Sequence, residues 1–214
     1  MTDKNKKSLR MDYQAIFIEA YHLMDEAIIA GNCGELCGYH CCRRNDGDGK
    51  RLGMYLLPLE YEYMQCAVVT DYDLHSHLQY NIPPKIKKYY YIYCHLAKGC
   101  LRDHRPIQCR TYPFEPHLEN GTFSLVIEKE QIHGCVLIER ITEWRQAFID
   151  GVFNGWLELM KIPIIKYNIE YFSKERIAAN NIMTHYTSNA HKTPVITDLG
   201  IILHQNPGRT NDLI

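Results

Sequence analysis

The stretch that decides the reading of this chain is residues 33–42, CGELCGYHCC, in which Cys33, Cys37, Cys41 and Cys42 fall within ten positions. A second run follows at residues 94–110, CHLAKGCLRDHRPIQCR, and supplies Cys94, Cys100 and Cys109. Thiolates gathered this densely hold soft metals, and neither run alone closes a tetrahedral site comfortably. Distant segments are therefore expected to fold together around metal, which becomes part of the core.

Spacing limits how the first run can be arranged. On one continuous helix, Cys33 and Cys41 would lie about 12 Å apart along the axis, too far for sulfurs on one metal ion. The segment must bend, and Gly34 and Gly38 suit irregular backbone wrapping closely around a bound group. Three ligands at these gaps fit an iron–sulfur cluster more easily than a compact zinc knuckle, although zinc sites also admit gaps of two to four residues. Adjacent Cys41 and Cys42 direct their side chains differently, so one ligates while the other serves a second site or packs as a small hydrophobe. Cys66, within Tyr63-Met64-Gln65-Cys66-Ala67-Val68, reads as a helix-core residue.

Working outward, residues 13–30 place Ile16, Ala20, Leu23, Met24, Ala27 and Ile28 at spacings of three and four, which predicts a helix stopped by Gly31 and Asn32. Residues 52–57 read as a short strand, and Pro58 opens a helix over 59–69. Residues 89–93, YYYIY, are strand-like and deliver Cys94. Residues 123–128 form another strand, reached through Glu119-Asn120-Gly121, so a small antiparallel sheet is expected. Cys135 lies just beyond that strand, and its position adds it to the candidate ligands. Apolar positions from Ile141 to Met160 predict the longest helix, and a short helix is expected around 175–183. The apolar stretch 195–203 could dock as a strand.

With 214 residues the chain can bury one substantial core. Its formal charge of −1 provides no long-range field for a nucleic-acid backbone. The basic runs at 4–7 and 85–88 read as solvated faces. No stretch approaches the roughly 18 uninterrupted apolar residues of a membrane helix, and the basic first residues lead into an amphipathic pattern rather than a signal-peptide core. A cytoplasmic protein is expected, in which nine cysteines favour metal over disulfides. No dinucleotide fingerprint, phosphate loop or serine nucleophile elbow is present.

The order Cys33-x3-Cys37-x3-Cys41-Cys42, Cys94, Cys100, then Arg105-Pro106-x2-Cys109-Arg110-x-Tyr112-Pro113-Phe114 resembles the YkgJ-type cysteine-cluster family, a zinc- or iron-chelating domain, and is similar to the amino-terminal part of flagellin lysine methylases. The match runs from Cys33 to Phe114, and the gap before the cysteine pair is one residue longer here than is usual for that family. The resemblance implies Cys33, Cys37, Cys41, Cys42, Cys94, Cys100 and Cys109 as ligands. It also implies a protein partner or protein substrate.

The expected fold is α+β: a small metal-centred domain over residues 1–190 with a short antiparallel sheet, cysteine-rich loops and surrounding helices, followed by a loosely held tail over 191–214. The expected cofactor is an iron–sulfur cluster, 4Fe–4S in type, with Zn2+ as the alternative in a structural or interaction module. Arg105 and Arg110 either pair with surface carboxylates or stabilise the negative charge of a thiolate-held cluster. Among the histidines near the cysteines, His40 and His104 are the candidates for a nitrogen ligand. Nothing in the sequence decides between an enzyme and an electron carrier.

Overall fold

The computed structural model describes residues 3–39, 53–63, 72–93, 102–129, 135–186, 194–197 and 200–203, with side-chain environments given between 13 and 182. Helix α1 (Asp3–Leu23) turns Phe17 and Ala20 inward, with Met24 directly after it buried on the same side, at spacings of three and four. It begins before the expected start and ends at Leu23, and the following turn buries Ile28 and Ile29. The turn directly after it faces Arg102, whose guanidinium donates to the backbone oxygens of Met24, Asp25 and Glu26. A side chain from a distant segment thus satisfies backbone acceptors of the turn.

The expected long helix over 141–160 is divided. A 3-10 segment (Ile138–Glu143) is followed by an extended residue, Arg145, and then by α5 (Gln146–Leu159). The extended backbone lets Arg145 N–H donate to the Ile28 carbonyl at 2.8 Å. At 14 residues, α5 is shorter than α1, with 21, and α6 (Pro163–Ala178), with 16. Pro163 sits at the first turn of α6, where its missing N–H costs nothing. The helix expected over 175–183 is the end of α6, and the chain then enters a strand.

Helices α1 and α5 approach closely because α5 carries glycine at the contact. A Cβ on Gly151 would lie 2.3 Å from the Leu23 carbonyl oxygen, and one on Gly155 would lie 2.6 Å from Met24 Cγ. Phe148, Val152, Trp156 and Leu159 of α5 join Phe17, Met24, Ile165 and Ile169 in the main core.

Two three-stranded antiparallel sheets flank this core. In the first, β3 (Tyr89–Ile92) lies between β1 (Met54–Tyr55) and β2 (Tyr72–His75). The strand expected over 52–57 narrows to β1, and the helix expected over 59–69 is described as α3 (Glu60–Tyr63). Alternation divides the tyrosines between the two faces. Tyr55, His75, Tyr89 and Tyr91 cluster on one face; Tyr61, Tyr72 and Tyr90 cluster on the other, with Tyr61 and Tyr90 stacked at 4.1 Å.

In the second sheet, β5 (Thr122–Glu128) lies between β4 (Phe114–Glu119) and β6 (Ile182–Tyr186). Asn120 and Gly121 both have positive φ, the backbone a two-residue hairpin requires. Leu125, Val126 and Ile127 are all buried, as expected for a central strand covered on both faces. Residues 194–197 (β7) and 200–203 (β8) form a separate antiparallel hairpin. The fold is α+β. Among the described residues, no helix is long and apolar enough to cross a membrane.

Candidate metal centre

Cys33 and Cys37 lie on α2 (Cys33–Cys37), one helical turn rather than the expected irregular loop. Asn32 caps it, its side-chain oxygen accepting from Gly34 N–H at 3.1 Å. The turn puts both cysteines on one face, and the Cys37 thiol lies 3.8 Å from the Cys33 carbonyl oxygen. Gly38 ends the turn in the left-handed conformation, with φ 59°, and Tyr39 repeats it at 60°. The chain therefore bends after Cys37, as the spacing requires. Gly34 also needs to be glycine, because a Cβ there would meet the Tyr39 ring at 2.5 Å.

Cys33 is the best-defined thiol. It is half-buried, and burial pushes its thiol pKa up. Arg105 acts in the opposite direction through its charge and a hydrogen bond to Cys33, while Cys37 and Cys135 raise the pKa further. Three cysteines from two distant segments therefore share one electrostatic neighbourhood with Arg105. Cys135 precedes the 3-10 segment, its carbonyl oxygen accepting from Ile138 N–H at 3.2 Å, and packs against the main core.

Positive charge is concentrated here. Burial and the adjacent Arg110 and Arg105 lower the pKa of Arg102, with Asp25 and Cys33 acting against them. Arg110 is buried and pairs with Asp25 at 2.9 Å; its Nε donates to the Arg105 carbonyl at 2.9 Å, and its guanidinium lies 4.7 Å from the centre of the Tyr21 ring. The two motif arginines thus divide their work. Arg105 reaches the thiol, whereas Arg110 braces α1 against α4 (Ile107–Thr111).

Sequence reading passed over Glu60, on which this arrangement rests. Its carboxylate is fully buried and accepts from Tyr21 Oη at 2.7 Å, Ile107 N at 2.8 Å and Leu57 N at 2.8 Å. Burial raises its pKa, and the three donors together with Arg110 oppose that shift. Glu60 thereby ties α1, α3 and the start of α4 into one unit, which fixes where Arg105 and Cys109 emerge. The signal available in sequence was a glutamate directly after the apolar run Leu56-Leu57-Pro58-Leu59.

Cys109 lies on α4, where its thiol meets Met54 Sδ at 3.3 Å. Cys41, Cys42, Cys94, Cys100 and the core assignment of Cys66 fall outside the described residues, as do His40 and the polar turn at 43–50. His104 lies in a short 3-10 turn (Arg102–His104). Among the described residues, no group of three or more histidine, cysteine, aspartate or glutamate side chains converges closely enough to hold a metal ion. Cys33, Cys37 and Cys135 are thus neighbours rather than a closed site, and a complete ligand set would need further residues. The donor chemistry fits a thiolate-held group nonetheless, because a half-buried thiol with Arg105 and Arg102 near it favours a bound species that carries negative charge.

Comparison of the chain with protein-family models, with curated proteins and with solved structures gives no match.

Proposed function

We propose that this is a cytoplasmic metal-binding protein that holds an iron–sulfur cluster, 4Fe–4S in type, through its cysteine cluster and serves a redox or protein-modification reaction on a protein partner. The observation that carries the proposal is the grouping of Cys33, Cys37 and Cys135 beside Arg105. The shared motif Arg105-Pro106-x2-Cys109-Arg110 links this neighbourhood to the second cysteine run, which provides Cys94 and Cys100. The resemblance to cysteine-cluster proteins points the same way.

The chain's own contribution is to orient thiols and to set their charge. Cys33 must lose its proton to ligate, and Arg105 favours the thiolate against the cost of burial. Arg102 and Arg110 add positive charge around a group whose thiolate ligands make it anionic. When bound, such a cluster supplies one-electron transfer.

The test is anaerobic isolation followed by visible spectroscopy and metal analysis. The proposal expects brown protein with broad absorption near about 400 nm that bleaches on reduction. Colourless protein with stoichiometric zinc, isolated from iron-replete and oxygen-free cells, would overturn it in favour of a zinc-stabilised module.

A further inference from the structure

A cavity of about 490 Å³ lies between the two sheets, lined by β1 and β3 on one side and by β4, β5, α5 and α6 on the other. We propose that it is a binding site for a small organic cation, enclosed by aromatic rings and held through its charge by Glu115. The inference is independent of any metal.

Its walls include Tyr55, Tyr91, Tyr112, Trp156 and Phe172. Aromatic faces attract cations through their quadrupole, most strongly where water is excluded. The cavity volume falls within the range typical of small-molecule sites. The charged residues that line it are Glu115, Glu128 and Arg176. Arg176 is already committed: it pairs with Glu128 at 2.8 Å and donates to the Pro116 carbonyl. Glu115 and Glu128 therefore share one guanidinium, which leaves the lining with one carboxylate in excess. Among the described residues, no hydrogen bond reaches the Glu115 carboxylate, which lines the cavity. A site with one excess carboxylate and aromatic walls selects against anions and for ammonium groups.

The wall also holds two N–H groups with no acceptor among the described residues, Trp156 Nε1 and Arg176 Nε, on side chains that are 1% and 6% exposed. Buried donors are ordinarily paired, so they mark the wall as suited to an occupant with an oxygen acceptor. A cation that also carries a hydroxyl, such as an aryl or alkyl amino alcohol, satisfies both features.

The protonation of Glu115 adds a signature. Burial and nearby Glu128 push its pKa up, with Arg176 opposing, to about 7. Glu128 lies on β5 and Arg176 on α6; the Tyr89 hydroxyl on β3 remains protonated through burial and donates to Asn168 at 2.5 Å. A cation favours the ionised carboxylate, so it should bind more tightly as pH rises through neutrality.

Two-dimensional 15N NMR of the full-length protein tests this, because its two tryptophans report separately. The Trp144 indole N–H donates to the Leu137 carbonyl at 2.9 Å, away from the cavity, whereas Trp156 lines it. Titration with tyramine, and separately with choline, should shift the Trp156 indole peak saturably and leave Trp144 in place. Tyramine should bind about tenfold more tightly than neutral 4-ethylphenol, and its affinity should rise about tenfold between about pH 6 and 8. Glu115→Gln should reduce the preference over 4-ethylphenol to about twofold or less. If that variant does not fold, the pH dependence of the wild-type protein decides. Absence of a saturable Trp156 shift with either cation up to about 10 mM, or equal affinity for 4-ethylphenol, would overturn the proposal.

Discussion

Arg105 hydrogen-bonds Cys33, joining the motif that ends the second cysteine run to the residue that begins the first. Removing a group that orients and charges a ligand typically weakens metal binding by about 10–100-fold. Arg105→Ala is expected to show a loss of that size in anaerobic competition with a chelator. Arg105→Lys, which keeps the charge but not the planar donor fork, should fall between. An Arg105→Ala protein that retains metal as well as wild type would separate this arginine from the site.

Glu60 is expected to be the costliest single position in the scaffold. Glu60→Ala leaves Leu57 N–H, Ile107 N–H and the Tyr21 hydroxyl without their acceptor, a loss of about 3 kcal/mol or more in denaturant-measured stability. Tyr21→Phe removes one of these bonds and should cost about 1 kcal/mol. The double variant should be less destabilised than the sum of the two, since the Tyr21–Glu60 bond is counted in both. Strict additivity would contradict the shared bond.

The two glycines of α5 should respond differently to alanine. In a helix the exchange normally gains about 1 kcal/mol. At Gly151 the new methyl meets the Leu23 carbonyl oxygen, part of a backbone that cannot step aside, so a net loss of about 1–3 kcal/mol is expected. At Gly155 it meets the flexible Met24 side chain, so the change should stay within about 1 kcal/mol of neutral. Thermal unfolding of both variants distinguishes them.

How much of this was legible in the sequence follows from what each signal depends on. The helix at 13–30, the strand at 89–93 and the hairpin at Asn120-Gly121 rest on local periodicity and turn chemistry, and the structure retains them within shifted bounds. The division of 141–160 was not legible, because it depends on Arg145 bonding a carbonyl far away in the chain. Strand β4 carries Pro116, which argues locally against a strand. The neighbourhood of Cys33 and Cys135 was anticipated only as a candidate list, since bringing them together takes the tertiary packing of α2 and the 3-10 segment. Glu60 was not legible either, because its three donors come from Tyr21, Leu57 and Ile107, two of them on distant segments.

Glu115 makes a prediction about pH. Its folded pKa, about 7, lies above the ordinary value of 4.5, so its stabilising contribution is complete below about pH 4.5 and is lost as pH rises through 7. The loss is at most about 3 kcal/mol. Glu115→Gln should therefore raise thermal stability at about pH 8 and leave it nearly unchanged at about pH 4.5. Equal effects at both values would show that Glu115 titrates normally.

The central claim, that Cys33 and Cys135 belong to one metal centre, is tested most directly by the metal content of single serine variants isolated anaerobically. The account predicts that Cys33→Ser and Cys135→Ser each lose most of the iron and the visible absorption, while Cys66→Ser keeps both near the wild-type level. Wild-type metal content in Cys135→Ser, alongside its loss in Cys33→Ser, would contradict it.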